Sequence, residues 1–243
     1  MPRQPYMSLS SLKKGTEINV GQGAIGQRPN LEKLIGDCIM AWPHVEAEMA
    51  LFLGQLIGTD NPASLTVFQV LRRSSSQREA ISEAAKVILD TKDQELISAI
   101  LNVHKAIEAE RNALVHGHFG TSSDIMDGIL WMNAADYISI RMILSQNAAR
   151  PEIGEEKLKL LSRVWVYKDK DLQKVFNDIK KMATIWLNSI DYLRLPPGSD
   201  ARAGKYRQLC GQSHIARELE TLRQKNTTST PTQSRKRDPS AEC

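Results

Sequence analysis

No stretch of this chain approaches the run of about 20 apolar residues that a membrane-spanning helix needs. The first residues, Met1-Pro2-Arg3-Gln4-Pro5, contain no apolar signal core. That argues against export through a cleaved leader. Cysteine is scarce, at 3 in 243 residues. Cys38, Cys210 and Cys243 are far apart, with neither the close pairing of a metal knuckle nor the even, dense pattern of a disulfide scaffold. A reduced, cytoplasmic protein is the expectation. There is no internal repeat. Gly21-Gln22-Gly23-Ala24-Ile25-Gly26 has the letters of a dinucleotide fingerprint, but no βαβ unit encloses it. His104, His116 and His118 have no acidic or cysteine partner at ligand spacing, so no metal and no cofactor is expected.

The formal net charge of +4 is unevenly spread. Residues 1–30 carry about +3, residues 201–243 about +5, and the middle about −4. Basic ends of this kind either hold a polyanion loosely or simply solvate the protein.

Residues 1–28, rich in Gly, Ser, Gln and Pro, read as a disordered arm. From Leu31 to about Ile57 the 3–4 spacing of Leu34, Ile35, Cys38, Trp42, Val45, Met49, Phe52, Leu53 and Leu56 predicts a long helix. Asn30 is the expected cap, and Pro43 is expected to kink or split the helix. Shorter helices follow over 62–72 and from Ser75 or Ser76 to about 89. Asp93 is read as the cap of the next helix, which ends near Val115 with Gly117 as its C-terminal stop. The segments 129–132, 137–144 and 164–167 look β-rich. They predict a small antiparallel sheet inserted over about 128–167. Helical spacing resumes from Asp169 to about Leu193. Residues 198–243 read as a charged extension, helical over 200–225 with a weak stripe of Leu209, Ile215, Ala216 and Leu219, and disordered after about 226. The fold class is mainly α, a helical bundle with a small β insertion.

The most informative stretch is Arg111-Asn112-Ala113-Leu114-Val115-His116-Gly117. An arginine is always charged and its fork matches a phosphate. A histidine near its ordinary pKa takes or gives a proton at neutral pH. Placed at 100° intervals, Leu96, Ile97, Ile100, Leu101, Val103, Ile107, Leu114 and Val115 fall within about 80° of Arg111. Arg111 is therefore central on the apolar face, with His104 and Glu108 beside it in one polar row. A charge there is costly unless compensated. Either Arg111 is a structural ion pair, with Glu108 or with Glu46 from the first long helix, or this face lines a cleft or a subunit interface. His116 falls about 140° from Arg111, so the two do not touch within one straight helix. Either the last turn is distorted or the groups meet across a two-fold axis. Trp131 and Trp165 are either packing residues or platforms for RNA bases.

At these residues the chain resembles the HEPN superfamily, whose ribonuclease members show Arg, four to six residues, then His, often with a polar residue after the Arg. Arg111, Asn112 and His116 match, with a gap of four. Trp42-Pro43-His44-Val45-Glu46 is similar to the first-helix pattern of many such proteins, and the likeness extends over 31–195. It implies a metal-independent endoribonuclease, dimeric, of the kind found in toxin–antitoxin systems, phage defence and RNA turnover, with RNA and a possible antitoxin or regulator as partners. By the resemblance, His116 is the general acid/base, Arg111 stabilises the phosphate, and Asn112 orients one of them or holds the RNA backbone. His104, Glu108, Glu46 and His118 are supporting candidates. Some antitoxin-regulated members have a tyrosine where this chain has His118. The alternative is a non-catalytic HEPN-like module that binds RNA or protein and dimerises.

Overall fold

The computed structural model describes residues 3–13, 15–21, 23–58, 62–146 and 155–228. In chain order the elements are β1 (Gln4–Pro5), α1 (Tyr6–Leu9), β2 (Ile18–Val20), α2 (Pro29–Leu56), α3 (Pro62–Val70), α4 (Ser74–Ile88), α5 (Thr91–His116), β3 (His118–Ser122), β4 (Ile125–Met132), α6 (Ala134–Gln146), α7 (Glu155–Leu161), β5 (Trp165–Lys168), α8 (Asp169–Arg194), α9 (Asp200–Cys210) and α10 (Ser213–Thr228). The protein is mainly helical, with a small five-stranded antiparallel sheet in the order β1-β5-β4-β3-β2. No helix among the described residues is long and apolar enough to cross a membrane.

The helical layer is built on α2, α5 and α8, whose apolar stripes meet in one core. Pro29 starts α2 at a position that needs no amide donor. The helix runs on through Pro43 rather than splitting there. Trp42 and Val45, at 2% and 0% exposure, pin the turns on either side of it. Asn30 lies inside α2, not at its cap.

The sheet lies against this layer and separates it from a smaller core. Side chains alternate across the pleat. Ile129, Trp131 and Tyr167 enter the helical core, while Leu130, Met132 and Val166 face Tyr6, Ile140 and Leu161 on the other side.

Several expectations are corrected. The arm read as disordered supplies both edge strands, β1 and β2. Its anchor is Tyr6, fully buried, whose hydroxyl lies 2.9 Å from Ser122 Oγ. The Asp124 carboxylate gathers the Ser10 hydroxyl, the Leu12 amide and the Thr16 hydroxyl at 2.7, 2.8 and 3.0 Å. These bonds, the Ser10 hydroxyl foremost, hold its carboxyl below the usual range. Low apolar content hid an arm whose order rests on one tyrosine and one aspartate.

The run 137–144 is helix α6, not a strand. Asn133 Oδ1 accepts the Asp136 amide at 2.9 Å, a cap that outweighs β-branched composition. Strand β3, unanticipated, begins directly after the motif helix, so the sheet starts before 128 and also draws strands from the N-terminal arm. Gly120 on β3 allows close approach of β2, since a Cβ there would sit 2.7 Å from the Asn19 carbonyl oxygen.

Residues 200–228 are no appendage. They form α9 and α10, with Leu209, Ile215 and Leu219 buried in the main core and Ala216 exposed. The disorder expected after about 226 is met by helix as far as Thr228 and beyond that lies outside the described residues.

Asp90, not Asp93, caps α5, accepting the Asp93 amide at 2.8 Å. Asp93 is instead buried, binding Arg202 at 2.9 Å and the Tyr192 hydroxyl, and so ties α5 to α8 and α9. Burial and the adjoining Asp93 push the Tyr192 phenol up to about 12.

The anchoring role of the arm is testable. Tyr6→Ala should lower unfolding free energy by about 3–5 kcal/mol, the usual cost of emptying a large aromatic site. Urea denaturation measures it, and a loss below about 0.5 kcal/mol, typical of a surface position, would mean the arm is not part of the core.

Candidate functional site

The final turns of α5 carry the motif. Arg111 is half-buried and lies over the Trp42 indole, its guanidinium carbon 5.7 Å from the ring centroid. Its Nη1 donates to Asn112 Oδ1 at 2.9 Å. Its Nε is enclosed and has no hydrogen-bond partner among the described residues.

Neither carboxylate expected to neutralise Arg111 does so. Glu108 is bound to Arg78 of α4, both side chains being largely buried. Glu46 accepts the Trp42 indole N–H at 2.8 Å. No carboxylate among the described residues forms an ion pair with Arg111. The guanidinium instead helps wall an open cavity of about 780 Å³, together with Pro43, Glu46, Arg72, Gln77 and Glu108. A cation steadied by an amide oxygen and an aromatic face, and open on one side, suits an anion with forked oxygens.

His116 is the last residue of α5 and is exposed. Its side chain makes no hydrogen bond to the described residues and is not among those lining the Arg111 cavity. The helix is regular to its end, so the last turn is not distorted to bring the two groups together. Within one chain the structure joins Arg111 to Asn112 and leaves His116 apart.

Two other histidines are placed differently from the expectation. His104 is a core residue, 1% exposed, with Trp42 and Trp186 ring centroids at 5.2 and 5.9 Å. Trp186 Nε1 donates to its Nδ1 at 3.1 Å. Nδ1 is therefore unprotonated and the ring is the neutral Nε2–H tautomer. Burial lowers its pKa to about 4. It supports packing rather than the open cavity. His118 opens β3 and stacks flat on Tyr137, centroids 4.0 Å apart at 6°.

Gly117 stops α5 as expected, with extended backbone at φ −80° and ψ 153°. Its missing side chain makes room for Trp131, since a Cβ there would collide with the indole. The Trp131 indole N–H donates to the Ala113 carbonyl inside the motif at 2.7 Å. Sequence reasoning missed Trp131 and Arg78 as neighbours of the motif. The only local signal for Trp131 was the glycine itself.

A second cavity, of about 550 Å³, lies between α5, α8 and α10 and includes Glu110 and Lys174. Burial raises the Glu110 carboxyl, opposed by Arg3 and Lys174. Lys174 is itself paired with Asp178 at 2.6 Å. Cys38 is buried, which pushes its thiol up to about 12 and removes it as a nucleophile. Among the described residues, no three His, Cys, Asp or Glu side chains converge to hold a metal.

The chain matches no family model, no curated protein and no solved structure.

The buried neutral state of His104 gives a pH dependence. The unfolded chain binds this proton near the ordinary value of about 6.5, the folded chain only near 4. Between those values the unfolded state carries more protons, so stability is complete above about pH 6.5 and falls as pH drops toward 4. The contribution is on the order of 3 kcal/mol. Urea unfolding of the parent and of His104→Gln at pH 7 and pH 4.5 should show the gap between them narrowing at the lower pH. A gap that stays constant would contradict this account.

Proposed function

We propose that this chain is a metal-independent endoribonuclease of HEPN type that works as a dimer. The observation that carries the reading is Arg111, which forms no ion pair among the described residues and donates to Asn112 on the wall of an open cavity. In this reading the cavity receives a phosphate of the RNA backbone. The 2′-oxygen attacks the adjacent phosphorus, the bond to the 5′-oxygen breaks, and a cyclic phosphate and a free 5′-hydroxyl result. Arg111 stabilises charge on the non-bridging oxygens. His116 accepts the 2′-proton or supplies the proton to the leaving oxygen. Asn112 keeps the guanidinium turned toward the phosphate. A two-fold axis beside the end of α5 would bring His116 of a second copy to the phosphate held by Arg111. A cytoplasmic toxin or phage-defence effector, held in check by an antitoxin or other regulatory protein, fits this chemistry.

One observation favours a second reading. His116 lies outside the Arg111 cavity within a single chain. If no second copy supplies it, the chain is a non-catalytic dimerisation module that binds RNA or protein.

Cleavage of a mixed RNA substrate in EDTA separates the two. His116→Ala should reduce kcat by about 10²–10⁴-fold, the usual worth of a positioned proton carrier. Arg111→Ala should reduce it by roughly 10²–10³-fold. Both variants should remain folded. A folded parent that binds RNA without cutting it supports the second reading. Cleavage that survives both substitutions overturns the assignment of the site.

A further inference from the structure

The end of α5 leaves its last carbonyls without an intrahelical donor. The Ala113 carbonyl is one of these, and the indole N–H of Trp131 fills it at 2.7 Å. Trp131 comes from β4, inside the sheet, with Phe119 of β3 and Trp165 of β5 directly across from it. The Arg3 guanidinium covers its ring at 3.7 Å and reaches the Tyr167 hydroxyl at 3.4 Å. On the other side of His116, the chain is fixed again at His118, which pairs with Met132 in the sheet and stacks on Tyr137. Between these two points lies an exposed imidazole whose backbone is held from both directions. Any side chain at Gly117 would occupy the space of the indole.

We infer that Trp131 is the positioning residue for His116: its indole N–H, held down by Arg3, sets where the motif helix ends and so where the imidazole stands. Its link to catalysis rests on the reading of His116 as proton carrier; the clamp itself does not. Arg3 directly precedes the two-residue register between β1 and β5, in which Gln4 faces Val166 and Pro5 faces Trp165. The N-terminal arm thus reaches the motif helix through one cation–π contact and one hydrogen bond.

The test uses Trp131→Phe, which keeps a ring for Arg3 and loses the N–H. Amide hydrogen exchange over residues 113–117 should quicken roughly tenfold, the scale of one net hydrogen bond. In RNA cleavage, kcat should fall at least about tenfold with KM within about twofold, since misplacement of a reacting group acts on the chemical step. Arg3→Ala should shift both readouts in the same direction, and Arg3→Lys should restore them in part, because ammonium also sits on an indole face. The Arg3 pair carries the test should Trp131→Phe fail to fold. Unchanged exchange in these variants overturns the clamp. Faster exchange with kcat unchanged overturns its positioning role. A parent that cuts no RNA defeats the ribonuclease reading alone, and the exchange data then decide the clamp by themselves.

Discussion

The site depends on one arginine that no carboxylate binds among the described residues. Arg111 stands on a helix face that is otherwise committed to the core, where an ionised group must be compensated. The chain could have neutralised it with Glu108 or Glu46, both within reach by sequence. It assigns Glu108 to Arg78 and Glu46 to the Trp42 indole. Arg111 is left with an amide oxygen and an aromatic face, which steady a guanidinium without cancelling its charge. The result is a guanidinium on the wall of an open cavity that Arg72, Glu46 and Glu108 also line.

The surrounding architecture keeps that face in place. α5 is held at its start by the Asp93–Arg202–Tyr192 network and at its end by the sheet through Trp131. Its middle is set by His104, a neutral ring between two tryptophans on α2 and α8. The N-terminal arm closes both edges of the sheet that supports the helix end. Distant parts of the chain therefore converge on the two turns that carry the motif.

The long helices were legible because spacing and composition agreed. α2 and α8 follow one apolar stripe each, and the placement of Arg111 on the core side of α5 follows from the same geometry. Elements decided by a few side chains were not legible. The N-terminal arm is ordered through Tyr6 and Asp124, whose partners lie more than a hundred positions away. α6 went astray because Ile138, Ile140 and Ile143 look β-rich, while the Asn133 cap sets the outcome. α9 and α10 were legible as helix with a weak apolar stripe, but their docking was not, because three apolar residues suffice when α8 and α5 offer them surfaces. At the site, Arg111, Asn112 and His116 were legible as a motif. The separation of His116 from the cavity was visible on an ideal helix. The donor to Ala113 was not, because Gly117 has two structural uses, a left-handed stop and room for a neighbour, and the sequence does not distinguish them.

A phosphate receiver and a structural cation at Arg111 are told apart by the surroundings of its aromatic neighbour, Trp42. The most direct measurement follows the Trp42 indole N–H resonance while a 2′-O-methyl RNA oligonucleotide, which cannot be cut by 2′-attack, is titrated into the parent and into Arg111→Gln. The account predicts a saturable, salt-sensitive shift in the parent that is lost in the variant. A resonance that does not move in the parent, or moves equally in both proteins, would contradict it.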